Sequence, residues 1–177
     1  MHDDFVQGQE QDLLRRAGQD PNAFHLLYDH YFPRIFAYIS YRVGRAQDAE
    51  DLTAETFLRV VDRWDDFRWE GEGSFTAWLF RIAHNLTNNF YRDHRRRNDQ
   101  VSLESLPEIE DSRLLPADTL LKKERFAELQ ALIRSLPPRR QEIVTLRFFG
   151  QLRNKEIARI LGLDERTVAA HLCRALR

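Results

Sequence analysis

One cysteine, Cys173, stands in 177 residues. A single thiol forms no internal disulfide, so a disulfide-stapled scaffold is excluded, and the usage suits a reducing compartment. No apolar run approaches the roughly 20 residues that a membrane-spanning helix needs. The opening stretch MHDDFVQGQEQDLLRR is acidic and lacks an apolar centre, which speaks against a signal peptide. These features together point to the cytoplasm. Glycine and proline are also scarce, at seven and six, while 42% of the residues are hydrophobic. Such a chain is not disordered throughout; it can build real cores, in one or two small domains.

An excess of positive charge is missing too. Lysine and arginine number 27 against 28 acidic side chains, for a net charge of −1. A protein that grips DNA alone usually carries a clear positive excess, because phosphate contacts supply most non-specific affinity. Either this chain does not bind nucleic acid, or it binds within a larger assembly that supplies the grip. The signatures of catalysis are absent as well. His25 and His30, and His84 and His94, lack ligand spacing, and there is no second cysteine for a zinc set. No Gly-rich phosphate loop or nucleophile elbow occurs, and the carboxylates are spread over polar helix faces. The reading is of a non-enzyme without cofactor or metal.

What is present is helix. Strand-like alternation is lacking, so the expected fold class is all-α. Residues 21–43 read as two short helices, the first after Pro21 and Asn22 and the second after Pro33. Residues 47–64 form the cleanest helix, with Ala49, Leu52, Thr53, Thr56, Phe57, Val60, Val61 and Trp64 on one stripe. Asp48, Asp51, Glu55, Arg59 and Asp62 lie outside that stripe. After a loop at 65–74, Phe75, Trp78, Leu79, Ile82, Leu86 and Phe90 mark the buried face of another helix. Residues 98–119, NDQVSLESLPEIEDSRLLPADT, carry six carboxylates against one arginine, with Pro107 and Pro116 interrupting any helix. They read as an extended acidic linker. Two small helical domains therefore flank it, with the first at 21–97 behind an N-terminal tail of 1–20, and the second at 120–177. In the second, Leu129, Leu132, Ile133 and Leu136 mark one helix before Pro137 and Pro138, and Ile143, Leu146, Arg147 and Phe148 mark the next.

The 75–92 helix has a second stripe. Arg81, Asn85, Asn88 and Arg92 recur at i, i+4, i+7 and i+11 without a carboxylate among them, and His94, Arg95, Arg96 and Arg97 follow. Amides read base edges, arginines hold phosphates, and nearby aromatics offer stacking surfaces. The face suits nucleic acid, including unpaired bases; the alternative is a solvated basic face. In KEIARILGLDERTVAAHLCRALR two short helices flank a glycine-containing turn, as in a helix-turn-helix. Ile157, Ala158 and Leu161 pack the first helix, and Val168, Leu172 and Leu176 the second. Asp164 suits the N-cap. Glu165, Arg166, Thr167, Ala170, His171 and Arg174 would face outward, toward a major groove. A plain helical hairpin inside a core is the alternative.

Four segments in order, AEDLTAETFLRVV (49–61), SFTAWLFRIAHNLTNNFYR (74–92), LPPRRQEIVTLRFFG (136–150) and NKEIARILGLDERTVAAHLCRAL (154–176), resemble the RNA polymerase sigma factors of the extracytoplasmic function (ECF) group. The resemblance implies that the first domain is sigma region 2 and the second region 4. It implies that the 47–64 helix docks on the clamp coiled coil of core RNA polymerase through Asp48, Asp51, Leu52 and Glu55. It assigns the 68–74 loop and following helix to the minus-ten element, which is melted and read as single strand. Asn85 falls in the base pocket, Trp69 is either a stacking surface or a core cap, and Arg92, Arg95, Arg96 and Arg97 hold phosphates. Residues 165–174 would enter the minus-35 duplex, with region 4 also touching the polymerase flap. The linker would thread the polymerase channels, and an anti-sigma factor would cover both domains.

Three departures from the family pattern stand out. Ala169 and Ala170 replace polar contacts in the recognition helix. Arg153 stands where a serine or threonine often caps the first motif helix, leaving that task to Asn154. The chain ends at Arg177, directly after the recognition helix. Two other readings remain: an autonomous helix-turn-helix regulator, and a sigma mimic that binds polymerase or an inhibitor without activating transcription.

Overall fold

The computed structural model describes residues 7–43, 45–98, 128–129, 131–133 and 135–176. The described residues are mostly helical and contain no strand. The proposed linker lies outside them, except for Asn98, which ends a helix. The elements are α1 (Gln7–Arg16), α2 (Pro21–Val43), α3 (Ala46–Asp62), a 3-10 turn (Trp64–Asp66), α4 (Ser74–Asn98), α5 (Pro138–Phe148), α6 (Asn154–Leu161) and α7 (Glu165–Ala175). Residues 128–129, 131–133 and 135 are also helical.

The stretch 21–43 is one helix, not two. Pro33 lies inside α2, at an exposed position. Its ring forfeits one backbone hydrogen bond. The buried series Leu27, Tyr31, Ile35, Tyr38, Ile39 and Val43 runs through it without a phase change. Burying such a series at about 1.5–3 kcal/mol per large side chain outweighs one lost bond. The N-terminal segment contributes as well. Leu13 and Leu14 of α1 are buried, and Glu10 accepts from the hydroxyl of Tyr31, which also meets Thr76 Oγ1 at 2.9 Å.

Helices α1 to α4 form one bundle, in which α2 contacts the other three and α3 packs on α4. Thr53, Thr56, Phe57 and Val60 face inward from α3, as their spacing predicts; Val61 does not, and is 54% exposed. From α4, Phe75, Leu79, Phe80, Ile82, Ala83 and Leu86 are buried. Trp78 and Phe90 are half-buried. Phe67 and Trp78 meet at 5.3 Å between ring centres, and both touch Phe75, which anchors the loop ahead of α4.

Helices α5 to α7 form a second, smaller core. Ile143, Leu146, Leu152, Ile157 and Val168 are fully buried there, beside Ile133, Ala158 and Leu172. Leu129, Leu132, Phe148 and Leu176, expected inside, are instead exposed. The helices they sit on are short, so a residue near an end or one position off the stripe finds no partner to cover it. The two cores are in contact, with α6 against α4 and α5 against α2. Gly150 occupies that junction, where a Cβ would lie 2.9 Å from the Phe80 ring and 2.7 Å from the Leu146 carbonyl oxygen.

Candidate nucleic-acid interface

The loop that introduces α4 turns at two glycines with left-handed backbone, Gly71 at φ 93° and Gly73 at φ 73°. The Ser74 backbone N–H closes the turn on the Gly71 carbonyl at 3.1 Å. Trp69 is half-buried against the core. With the Gln11 amide turned to satisfy both neighbours, its oxygen accepts from Trp69 Nε1 at 3.2 Å and from Arg15 at 3.3 Å.

Along α4, Arg81, Asn85, Asn88 and Arg92 are all exposed on one stripe, as the periodicity predicts. Arg95, Arg96 and Arg97 continue the helix backbone, and their side chains lie outside the described residues. The sequence does not reveal what stands behind the stripe. Arg42 of α2 donates to Asn88 Oδ1 at 2.9 Å, and the Asn88 amide nitrogen lies 2.9 Å from His84 Nε2. The other His84 nitrogen meets the Tyr38 hydroxyl at 3.2 Å. His84 precedes Asn88 by one helical turn; that spacing is the one signal in the sequence for the contact. Burial holds its imidazole below the ordinary 6.5; Glu142 opposes this, while Arg42 and Arg139 reinforce it. The ring is therefore neutral at pH 7, and the positive charge beneath the stripe comes from Arg42.

The second unit builds a helix-turn-helix. Gly162 ends α6 in the left-handed conformation at φ 64°, and the Leu163 N–H returns to the Ala158 carbonyl at 2.9 Å. Asp164 caps α7, accepting from the Thr167 backbone N–H at 2.8 Å and from its hydroxyl at 2.6 Å. Those bonds hold the Asp164 carboxyl below its usual range. Val168 and Leu172 face inward; Glu165, Arg166, Ala169 and Arg174 are exposed, and Thr167, Ala170 and His171 are half-buried. An open groove lined by Asn154, Asp164, Glu165, Arg166 and Ala169 lies at the starts of the two helices.

The start of α6 differs from expectation. Its cap is Arg153, with Asn154 as the first helical residue. Arginine has no acceptor, so half of a capping box is impossible. Glu156 supplies the other half, accepting from the Arg153 backbone N–H at 2.7 Å, and the Arg153 guanidinium donates to the same carboxylate at 2.9 Å.

Residues 27–97 match the family Sigma-70 region 2, and residues 126–177 match Sigma-70, region 4. The RNA polymerase sigma-H factor of Pseudomonas aeruginosa is 31% identical over 97% of this chain and 92% of its own length. The ECF RNA polymerase sigma factor BldN of Streptomyces coelicolor is 40% identical over 94% of this chain. The chain belongs to the ECF RNA polymerase sigma factors. It spans 62% of the length of BldN. The solved structure of CnrH in complex with the cytosolic domain of CnrY shares this fold, with a TM-score of 0.70 at 20% identity over 95% of this chain and 92% of CnrH. In this sigma factor the α4 stripe thus lies within region 2 and the helix-turn-helix within region 4.

The α3 face of the sigma factor is more mixed than its sequence suggests. Asp51 is exposed, while Glu55 is paired with Arg59 at 2.7 Å. Leu52 is half-buried, and so is Asp48, whose nearest cation, Arg45, is 3.9 Å away. Leu58 is 60% exposed, one turn from Glu55 and two from Asp51. Among the described residues no helix is long and apolar enough to cross a membrane.

Proposed function

We propose that this sigma factor recruits core RNA polymerase and directs it to promoters by reading two DNA elements with two units. The α4 stripe takes the melted minus-ten strand: Asn85 hydrogen-bonds an extruded base, Asn88 and Arg81 flank it, Trp69 bounds the pocket, and Arg92, Arg95, Arg96 and Arg97 hold phosphates. The exposed face of α7, with Glu165, Arg166, Thr167, Ala170, His171 and Arg174, takes the minus-35 major groove. Asp48, Asp51, Leu52 and Glu55 dock on the clamp coiled coil, where an acidic face with an apolar centre complements basic partners. Region 4 meets the flap. The units divide near 21–97, onto which α1 also packs, and 120–177, joined by the acidic linker at 98–119. The chain performs no chemistry and acts in the cytoplasm, in keeping with its lone thiol.

The observation that carries this reading is the exposed, carboxylate-free stripe of α4 in the same chain as a capped helix-turn-helix with exposed basic groups. An autonomous regulator needs the second and not the first. An anti-sigma partner covering both units is inferred from the family resemblance; CnrH was solved in complex with the cytosolic domain of CnrY.

Run-off transcription with bacterial core polymerase on a promoter library tests the proposal. Protein-dependent transcripts are expected, and their enriched sequences define both elements. Asn85→Ala is expected to keep core binding while open-complex formation falls roughly 5- to 150-fold, the equivalent of about 1–3 kcal/mol of base reading. Unchanged melting by that variant removes Asn85 from the pocket.

A further inference from the structure

The surface proposed for the minus-ten strand is also the surface on which the second unit sits. Arg81, the first residue of the stripe, donates to the Arg159 carbonyl of α6 at 2.5 Å. Glu72, in the loop that bounds the pocket, is ion-paired with Arg153, and Arg159 reaches the Glu72 carbonyl at 3.5 Å. Gly73 lies so close to Glu156 that a Cβ there would be 2.6 Å from its carboxylate oxygen. Away from the loop, Arg34 donates to the Gly150 carbonyl at 3.1 Å, Tyr41 stacks on Phe149 at 4.3 Å, and Glu142 lies 3.2 Å from His84 Nε2. The exposed groups of α7 take no part in these contacts.

This packing cannot persist on a promoter. The minus-35 and minus-ten elements are about 25 base pairs apart, roughly 85 Å at 3.4 Å per pair. A packed body of this size is only about 40 Å across. The two units must separate before both elements are engaged, and until then region 4 competes with DNA for the loop and for Arg81.

We propose that Arg153 is an autoinhibitory latch: in the free chain it ties Glu72 of the pocket loop to Glu156 of α6, holding region 4 over the minus-ten face. The inference rests on the sigma reading for what is inhibited, but the closure itself does not depend on it. Arg153 is also the position where a capping serine or threonine is expected. Here the cap is completed through Glu156, and the guanidinium remains able to reach across. The strong donation to two carboxylates keeps it charged at any physiological pH, well above the ordinary arginine value. The latch, an ion pair between partly exposed side chains, is sensitive to salt.

The test uses single-molecule energy transfer in the full chain without DNA. Cys173 is the native exposed thiol of region 4, and Asp62→Cys provides an exposed partner on region 2. Arg153→Ser removes the latch and installs a good N-cap, so α6 is preserved. A high-transfer, closed population is expected in the unmodified chain. Arg153→Ser should raise the open-to-closed ratio about two- to fivefold, the range for a partly exposed ion pair. Adding Tyr41→Ala should raise it several-fold further through loss of the ring stack. Glu72→Gln combined with Arg153→Ser should open the chain no more than Arg153→Ser alone. An unchanged ratio in Arg153→Ser, with helix content intact by circular dichroism, overturns the latch; so do fully additive effects of the two substitutions. Opening without any promoter activity in the run-off assay would instead overturn the sigma reading and leave the closure standing.

Discussion

His84 is 91% buried where α4 meets both α2 and α5, faced by Tyr38 and Arg42 on one side and by Glu142 and Arg139 on the other. Burial is the largest influence on its ring, and it favours the neutral form. The sign of the pH effect follows. Below its ordinary value of 6.5 the unfolded ring takes up a proton that the folded ring resists, so the unfolded state binds more protons. Stability from this group is whole above that pH and is lost as pH falls toward the depressed folded value. Urea midpoints are expected to drop between pH 7.5 and 5.5, and His84→Gln should flatten that slope; an equal slope in both proteins would assign it elsewhere. Tyr38 contributes differently: full burial raises its hydroxyl above the ordinary tyrosine range, so it stays protonated throughout. The polar triad Tyr38–His84–Asn88 was illegible in the sequence because Tyr38 sits on α2, far in sequence from the other two on α4. Only the four-residue step from His84 to Asn88 shows in one dimension.

At the scale of the element, helix ends and interruptions decide more than propensity. Asp164 was legible as a cap because its carboxylate precedes the helix by one residue and needs only local geometry. Asp164→Ala is expected to lower the melting temperature and helix content of region 4, and to weaken minus-35 duplex binding through a frayed α7 start. Circular dichroism and a duplex titration with holoenzyme measure the two effects. Pro33 was misleading for the opposite reason. Proline argues locally for a break, but the buried residues of α2 on either side of it keep one phase. Pro33→Ala restores the missing N–H at an exposed site, and the expected gain is about 1–3 kcal/mol in urea unfolding. No gain would mean that the ring packs better than its exposure suggests. Arg153 shows the same tension: the residue is a poor cap, and Glu156, which spacing alone marks as N3, rescues the helix start.

For the whole molecule, charge and closure point the same way. A net charge of −1 leaves little general attraction for DNA, and the packed units cover part of the face that would read it. The free chain is expected to give no tight, sequence-specific shift of promoter duplex at physiological salt, whereas the complex with core polymerase should. A shift by the isolated chain would favour the autonomous regulator. The sequence by itself determined the all-α class, the placement of most buried residues in α3 and α4, the Arg81–Arg92 stripe and the helix-turn-helix with its cap. Each depends on residues within one or two turns of each other, where periodicity and capping operate. The tertiary structure alone decided that α2 is unbroken, that Val61, Leu132, Phe148 and Leu176 face outward, and that Arg42 and His84 stand behind Asn88. It alone placed region 4 on the pocket loop through Arg153 and Glu72. Those outcomes depend on which surfaces meet, and residues 81 positions apart become partners only once two cores have packed.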